Sequence, residues 1–268
     1  RKAVLWIYLI CVQFKQKLIN GKNIMTNARV QYYLTVANEI TPSSRNPYAL
    51  CKELEIEVIN NCELHKDAYF VCQGGLKLIF VNSCIKNRHR RKFVTAHEIG
   101  HYFLHQDNLY CCNNISEINL SSNIKVNSPS QEYEANTFAS EYVLPTSLLQ
   151  EKLPNREIHF SDIFTIANEF DVSVTLTAMK SIQCSKTESE SLLCYENNRL
   201  KWFAFSNNDD MDKSAVPSHC PFDSLLCSQS TDITGYWDDL YRGSVHQEVF
   251  SPYGKQRLIL LSGQRNID

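Results

Sequence analysis

Two histidines four residues apart, with a glutamate directly after the first, stand in the segment His97-Glu98-Ile99-Gly100-His101. On a helix, positions i and i+4 lie on one face one turn apart, so both imidazoles can reach a single ion at about 2.0 to 2.1 Å. Glu98 is turned from His97 by about 100°, which puts its carboxylate beside an open coordination position rather than on the ion. That placement suits a general base. Zinc held by such a pair lowers the pKa of its bound water to about 7; the glutamate takes the proton as the oxygen attacks a metal-polarised peptide carbonyl, then hands it to the leaving amine. Phe93, Ala96, His97, Gly100, His101 and Leu104 recur at helical spacing and predict a largely buried helix over 93–105. Unpaired imidazoles on that face would be costly to bury. Gly100 costs such a helix about 0.5 to 1 kcal/mol relative to Ala, so its presence implies that another backbone or a substrate passes close by.

A catalytic zinc takes three protein ligands and leaves one position for water. His105 lies eight residues beyond His97, roughly 12 Å along the helix axis, and is read as supporting a ligand rather than binding the same ion. The metzincin pattern is excluded, because it needs Gly and His where this chain has Leu104 and Asp107. A later helix supplies the better donor. Ser128-Pro129-Ser130-Gln131 reads as a capping-box start, and Ala135, Phe138, Ala139 and Tyr142 form the apolar stripe that follows. Glu132 and Asn136, four apart at the edge of that stripe, face the partner helix. Glu132 is the expected third ligand, Asn136 is placed to orient a ligand imidazole, and Glu134 is the fallback. The expected cofactor is Zn2+, with Mn2+ also compatible with these donors.

These residues resemble a known family. Phe93-Val94-Thr95-Ala96-His97-Glu98-Ile99-Gly100-His101-Tyr102-Phe103-Leu104-His105, then Glu132-Tyr133-Glu134-Ala135-Asn136-Thr137-Phe138-Ala139 and Val143-Leu144-Pro145, look like the ImmA/IrrE family of bacterial and phage metallo-endopeptidases. Stretches 46–59 and 76–82 resemble the family's lead-in, so the likeness covers roughly 27–182. It implies a zincin-like, gluzincin-type core with a zinc site of two His and one Glu, falling on His97, His101 and Glu132, with the base on Glu98. It also implies a narrow activity: cleavage of a helix-turn-helix transcriptional repressor, which frees mobile-element or stress-response genes.

The elements that must position the site are legible in outline. Val30, Leu34 and Ala37 predict a helix over 27–40 that Thr41-Pro42 ends; Asn46 caps a second, with Pro47 in its first turn, leading to a β-type run at 57–59. Runs 68–72 and 76–81 flank Gly74-Gly75 as a hairpin. The basic window Lys86-Asn87-Arg88-His89-Arg90-Arg91-Lys92 is read as a solvated loop and first helical turn, with guidance of an acidic substrate stretch as the lesser alternative. The Asn/Ser-rich stretch 106–128 is expected to form a flap of its own.

Further on, Ile163, Ile166, Ala167, Val172, Leu176 and Met179 around the turn Phe170-Asp171-Val172-Ser173 look like a helix-turn-helix over 158–182. Its second helix, 174–182, offers only Lys180 as a cation, whereas DNA binding needs several phosphate contacts, so a packing or substrate-docking role is favoured over direct DNA binding. Stretch 186–191 reads as a linker; 200–205, 247–251 and 257–261 read as strands, with turn signals at Asn197-Asn198 and Tyr253-Gly254. This tail is expected to be a small β-rich or α+β domain, for support or for sensing a signal. Cys220, Cys227, His219 and His246 fit no trusted zinc spacing.

Composition sets the frame. A chain of 268 residues, 43% hydrophobic and 21% charged, can bury an ordinary core, and a net charge of -2 supplies no bulk drive toward nucleic acid or an anionic membrane. Eleven cysteines, an odd number with no Cys-x-x-Cys pair, suit reduced thiols in a cytoplasm; neighbouring Cys111 and Cys112 are read as thiols too. Residues 3–12 are apolar but too few to cross a bilayer, and Met25 opens the first helical signal, so 1–24 is read as an upstream extension or accessory helix. The expected organisation is α+β: a peptidase core at 25–150, a helix-turn-helix-like segment at 151–185 and a small C-terminal domain at 186–268. The rival expectation is a zinc-containing DNA-binding regulator without proteolysis. Glu98 separates the two, because a structural zinc site needs no carboxylate outside its ligand set.

Overall fold

The computed structural model describes residues 24–61, 64–105, 129–187, 189–206, 215–220, 237–252 and 256–266. The N-terminal extension, the 106–128 stretch with Cys111 and Cys112, the Ser128 cap, Cys227 and the Tyr253-Gly254 turn lie outside these residues. Seven helices and two small sheets among the described residues make the protein mixed α+β. The chain divides into two compact units, Arg1–Val143 and Leu144–Asp268. No helix in the described residues is long and apolar enough to cross a membrane.

In the first unit, α1 (Ile24–Ile40) buries Val30, Leu34 and Ala37, the stripe its spacing predicts. Asn46 caps α2 (Pro47–Glu53) by accepting the Tyr48 N–H, and Pro47 occupies the first turn, where its missing N–H costs nothing. Strands β1 (Ile56–Asn61), β2 (Ala68–Gln73) and β3 (Leu76–Asn82) form a sheet in the order β1-β3-β2. β1 runs parallel to β3, while β2 and β3 are the expected hairpin. Gly74 and Gly75 turn it with φ of 55° and 86°, a left-handed pair that glycine adopts without a Cβ penalty.

Helix α3 (Arg88–Leu104) starts five residues before the predicted onset, at an Asn87 cap that accepts the Arg90 N–H, and thus absorbs most of the basic window. Arg90 pairs with Asp67 at 2.6 Å on the surface. The buried face holds Ala96, Ile99, Phe103 and Leu104, together with Glu98 and His101, but Phe93 and His97 are only half-buried. The buried arc is therefore rotated from the one the periodicity predicts, because α3 packs on β2 and β3 as well as on the next helix.

That next helix, α4 (Pro129–Val143), buries Ala135, Phe138, Ala139 and Tyr142 against α3 and α1. Gly100 allows the approach: a Cβ there would stand 3.1 Å from Ala135 Cα, 3.2 Å from its carbonyl oxygen and 3.2 Å from Phe138 Cδ1. Two of these neighbours are backbone atoms and cannot rotate away. Gly100→Val is therefore expected to destabilise the first unit by roughly 1 to 3 kcal/mol through overpacking, read as a lower denaturant midpoint with an unchanged slope. A midpoint equal to or above that of the wild type would mean the two helices have room to spare.

The second unit opens with α5 (Thr146–Lys152), a short helix the periodicity does not reveal, followed by α6 (Phe160–Phe170) and α7 (Val174–Gln183). Asp171, at φ 52° and ψ 51°, ends α6, and Ser173 caps α7 by accepting the Leu176 N–H. Lys180, the lone cation of α7, is buried and donates to the Leu144 carbonyl at 2.6 Å. Strands β4 (Glu190–Glu196), β5 (Arg199–Phe205), β6 (Tyr241–Phe250) and β7 (Gln256–Arg265) form an antiparallel sheet in the order β5-β4-β7-β6. The linker expected at 186–191 is corrected at its end: Glu190 and Ser191 are fully buried at the start of β4. Their polarity is absorbed internally, for the Glu190 carboxylate accepts the Ile158 N–H at 3.2 Å and Ser185 Oγ at 2.9 Å, and Tyr241 Oη bonds Ser191 at 2.6 Å. One face of the sheet packs on a core of Leu193, Tyr195, Trp237, Tyr241 and Ile259. Burial pushes the Cys51 thiol to about 12 and the Cys194 thiol to about 11, so both act as inert packing groups.

Candidate metal centre

Helices α3 and α4 bring His97, His101 and Glu132 together, with one donor atom from each lying within 4.8 Å of the others. The two Nε2 atoms are 3.0 Å apart, and the Glu132 oxygens lie 3.2 Å from His97 Nε2 and 3.5 Å from His101 Nε2. Local helix geometry supplies the histidine pair, and the close α3/α4 packing at Gly100 supplies the carboxylate.

The far side of each ring sets which nitrogen carries the proton. Asn136 Oδ1 lies 3.0 Å from His97 Nδ1 and can only accept, so His97 carries its hydrogen on Nδ1 and turns the Nε2 lone pair inward. Glu134 Oε2 accepts from His105 Nε2 at 2.9 Å, leaving His105 Nδ1 to accept from His101 Nδ1, also at 2.9 Å. His101 thus turns its own Nε2 lone pair inward as well. Arg29 closes this buried chain 3.4 Å from Glu134 and also donates to the Leu104 carbonyl. Two lone pairs and a carboxylate converging at these distances repel one another unless a proton on His97 Nε2 or a metal cation lies between them. The donor set of two neutral imidazoles and one carboxylate fits zinc, each ligand imidazole being braced from behind.

Electrostatics agree with that fit. Burial, with His97, His105 and Lys66 adding to it and Glu132 opposing, holds His101 down to about 3, so it is neutral and available to a metal at neutral pH. Burial also lowers His105, against the pull of Glu134. His97 goes the other way: burial acts downward, but the Glu132 hydrogen bond, the Glu98 and Glu132 charges and the Asn136 hydrogen bond together raise it.

Glu98 lies outside the three-residue donor cluster and is buried. Burial pushes its carboxyl up to about 7; the Glu132 charge adds to this, while His97, the Phe70 backbone N–H and Lys66 hold it down. A carboxyl poised near neutrality beside a donor cluster can take and return a proton. Of the residues singled out from the sequence, His105 and Asn136 touch the imidazoles from behind. Glu134, held only as a fallback ligand, instead anchors His105. Spacing carries no sign of Arg29 or of the Phe70 N–H, since both reach the site only through tertiary packing.

A helix pair presenting two histidines and a carboxylate, with a separate buried glutamate beside them, is an arrangement that could hold a metal ion. Residues 51–181 match a peptidase family, described as the IrrE N-terminal-like domain. Over 116 residues the chain is 40% identical to metallopeptidase ImmA of Bacillus subtilis (strain 168), a match covering 42% of this chain and 63% of that protein. Across residues 51–181, just under half of the chain, the protein is similar to the ImmA/IrrE family. A solved structure of a Mycobacterium tuberculosis transcriptional regulator shares the fold at a TM-score of 0.52 and 12% identity, over 89% of this chain and 76% of that one.

Proposed function

We propose that this protein is a zinc-dependent endopeptidase with a zincin-like, gluzincin-type core, acting in the cytoplasm on a helix-turn-helix transcriptional repressor. His97, His101 and Glu132 hold the ion and Glu98 is the general base. The observation that carries this reading is the position of Glu98, buried beside the donor cluster yet not among its members. A zinc ion held by His97, His101 and Glu132 would supply Lewis-acid chemistry at the scissile carbonyl. Glu98 accepts the proton of the attacking water at its carboxylate and returns it to the leaving amine. The Phe70 N–H holds that carboxylate in place, and Asn136 and the His105–Glu134 pair hold the imidazoles in the tautomer that binds metal.

The peptidase chemistry is assigned to residues 25–150, with 151–185 as a helix-turn-helix-like packing or docking element and 186–268 as a supporting or sensory domain. Burial of Lys180 supports packing over DNA contact for α7. The test uses the purified full chain and any small helix-turn-helix repressors found encoded beside its gene. One of them is expected to be cut at a single bond, seen by intact-mass spectrometry, with cutting abolished by chelation and restored by Zn2+. Repressors left whole by the zinc-loaded chain would overturn the substrate assignment.

A further inference from the structure

A second constellation with metal-ligand chemistry lies in the other unit. His246 and Glu248 are two apart on β6, so they share a face, opposite the one on which Val245 and Gln247 are buried. Phe250 continues that face and packs on α6, 5.6 Å from the Phe160 ring and 4.9 Å from the Phe164 ring. This contact brings His159, the residue that caps α6, over the strand. Its Nδ1 lies 2.5 Å from Glu248 Oε1, His246 Nε2 lies 3.2 Å from the same oxygen, and the two imidazoles meet edge to face at 5.4 Å.

We propose that His159, His246 and Glu248 form a second divalent-metal site, separate from the one on α3 and α4, which ties the start of α6 to strand β6. The three donor atoms lie within 4.8 Å of one another. Ligands on a tetrahedral ion at about 2.0 to 2.1 Å stand roughly 3.4 Å apart, so small side-chain rotations suffice to seat one. The Glu248 carboxylate is held from behind, where its Oε2 accepts the Phe160 N–H at 2.7 Å and so leaves Oε1 toward the histidines. His159 is braced as well, its own N–H bonded to Asp162 Oδ2 at 3.0 Å and Asp162 bonded in turn by Arg156 at 2.8 Å. Side-chain exposures of 34% for His159, 29% for His246 and 13% for Glu248 leave an ion and a water ligand a way in. Two imidazoles and one carboxylate select zinc, cobalt, nickel or copper over calcium or magnesium.

The ligands come from a helix start and a strand 89 residues away, so a bound ion is a cross-link between elements and stabilises this unit by mass action. Equilibrium dialysis of the full chain against Zn2+, followed by elemental analysis, is expected to give two equivalents in the wild type. One equivalent should remain in the His97→Ala/His101→Ala variant and one in His159→Ala/His246→Ala. Zn2+ should raise the melting temperature of the first variant by roughly 5 °C, and adding Glu248→Gln, which keeps an acceptor for the Phe160 N–H, should abolish the rise. A second measurement needs no variant at the first site: a wild-type Co2+ absorption spectrum minus that of His159→Ala/His246→Ala should show ligand-field bands. If the His97→Ala/His101→Ala chain holds no Zn2+, or if the Co2+ difference spectrum is flat, the three residues are only a hydrogen-bonded staple and the site does not exist. These outcomes are independent of whether the protein cuts a repressor.

Discussion

Glu98→Gln is expected to lower the cleavage rate by about three orders of magnitude while leaving the zinc content of the protein unchanged. The amide has the shape of the carboxyl and still accepts the Phe70 N–H, but it cannot take a proton from water. Because Glu98 is buried and not in the donor cluster, its loss removes the base without removing a ligand. Stability separates this outcome from misfolding. Burial raises the Glu98 carboxyl to about 7 in the metal-free chain, so the fold favours the protonated form. The ionised form therefore costs stability as pH rises above the unfolded carboxyl's pKa of about 4.3, and the cost is fully present above the folded value. The metal-free Glu98→Gln chain should melt above the wild type at pH 8, with the gap closing by pH 4. A variant that cuts at the wild-type rate would move the base elsewhere.

Glu132→Ala is expected to weaken zinc binding by more than about 100-fold, since even residues that only brace a ligand cost 10- to 100-fold when changed. Cleavage should vanish at low zinc and return in part at high zinc. The Glu132 side chain is 42% exposed, so the variant should fold as the wild type does. Glu134→Ala provides the contrast. It removes the acceptor that fixes His105 and hence the tautomer of His101, so it should weaken zinc by no more than about 100-fold. Should Glu134→Ala strip the metal while Glu132→Ala keeps it, the third ligand has been misassigned. Calorimetric titration of the metal-free proteins with Zn2+ reads both.

Much of this centre is legible in the order of residues alone, because its parts are periodic. The His97/His101 spacing, the Glu132/Asn136 spacing and the Ala135, Phe138, Ala139 and Tyr142 stripe each follow from residues one turn apart on a helix, and the Gly74-Gly75 hairpin from the only residue type that takes positive φ freely. The misses share one cause. The buried Glu190 and Ser191 look like linker residues because what makes them core is a set of partners at 158, 185 and 241. The Arg29–Glu134–His105 chain and the His159, His246 and Glu248 cluster likewise join residues whose separation carries no periodic signal.

The order of residues along α3 was enough to name a histidine pair and a candidate base, since an i, i+4 relation needs nothing beyond 3.6 residues per turn. Spacing on α4 already put Glu132 ahead of Glu134 as the carboxylate; how closely it meets the pair, and how far Glu98 is drawn from water, came from the tertiary structure. Both depend on how closely α4 and β2 approach α3, a distance set at Gly100 by the missing side chain and held by packing elsewhere along the two helices. A pKa of about 7 at Glu98 is a property of that enclosure and not of the Glu98 position in the chain.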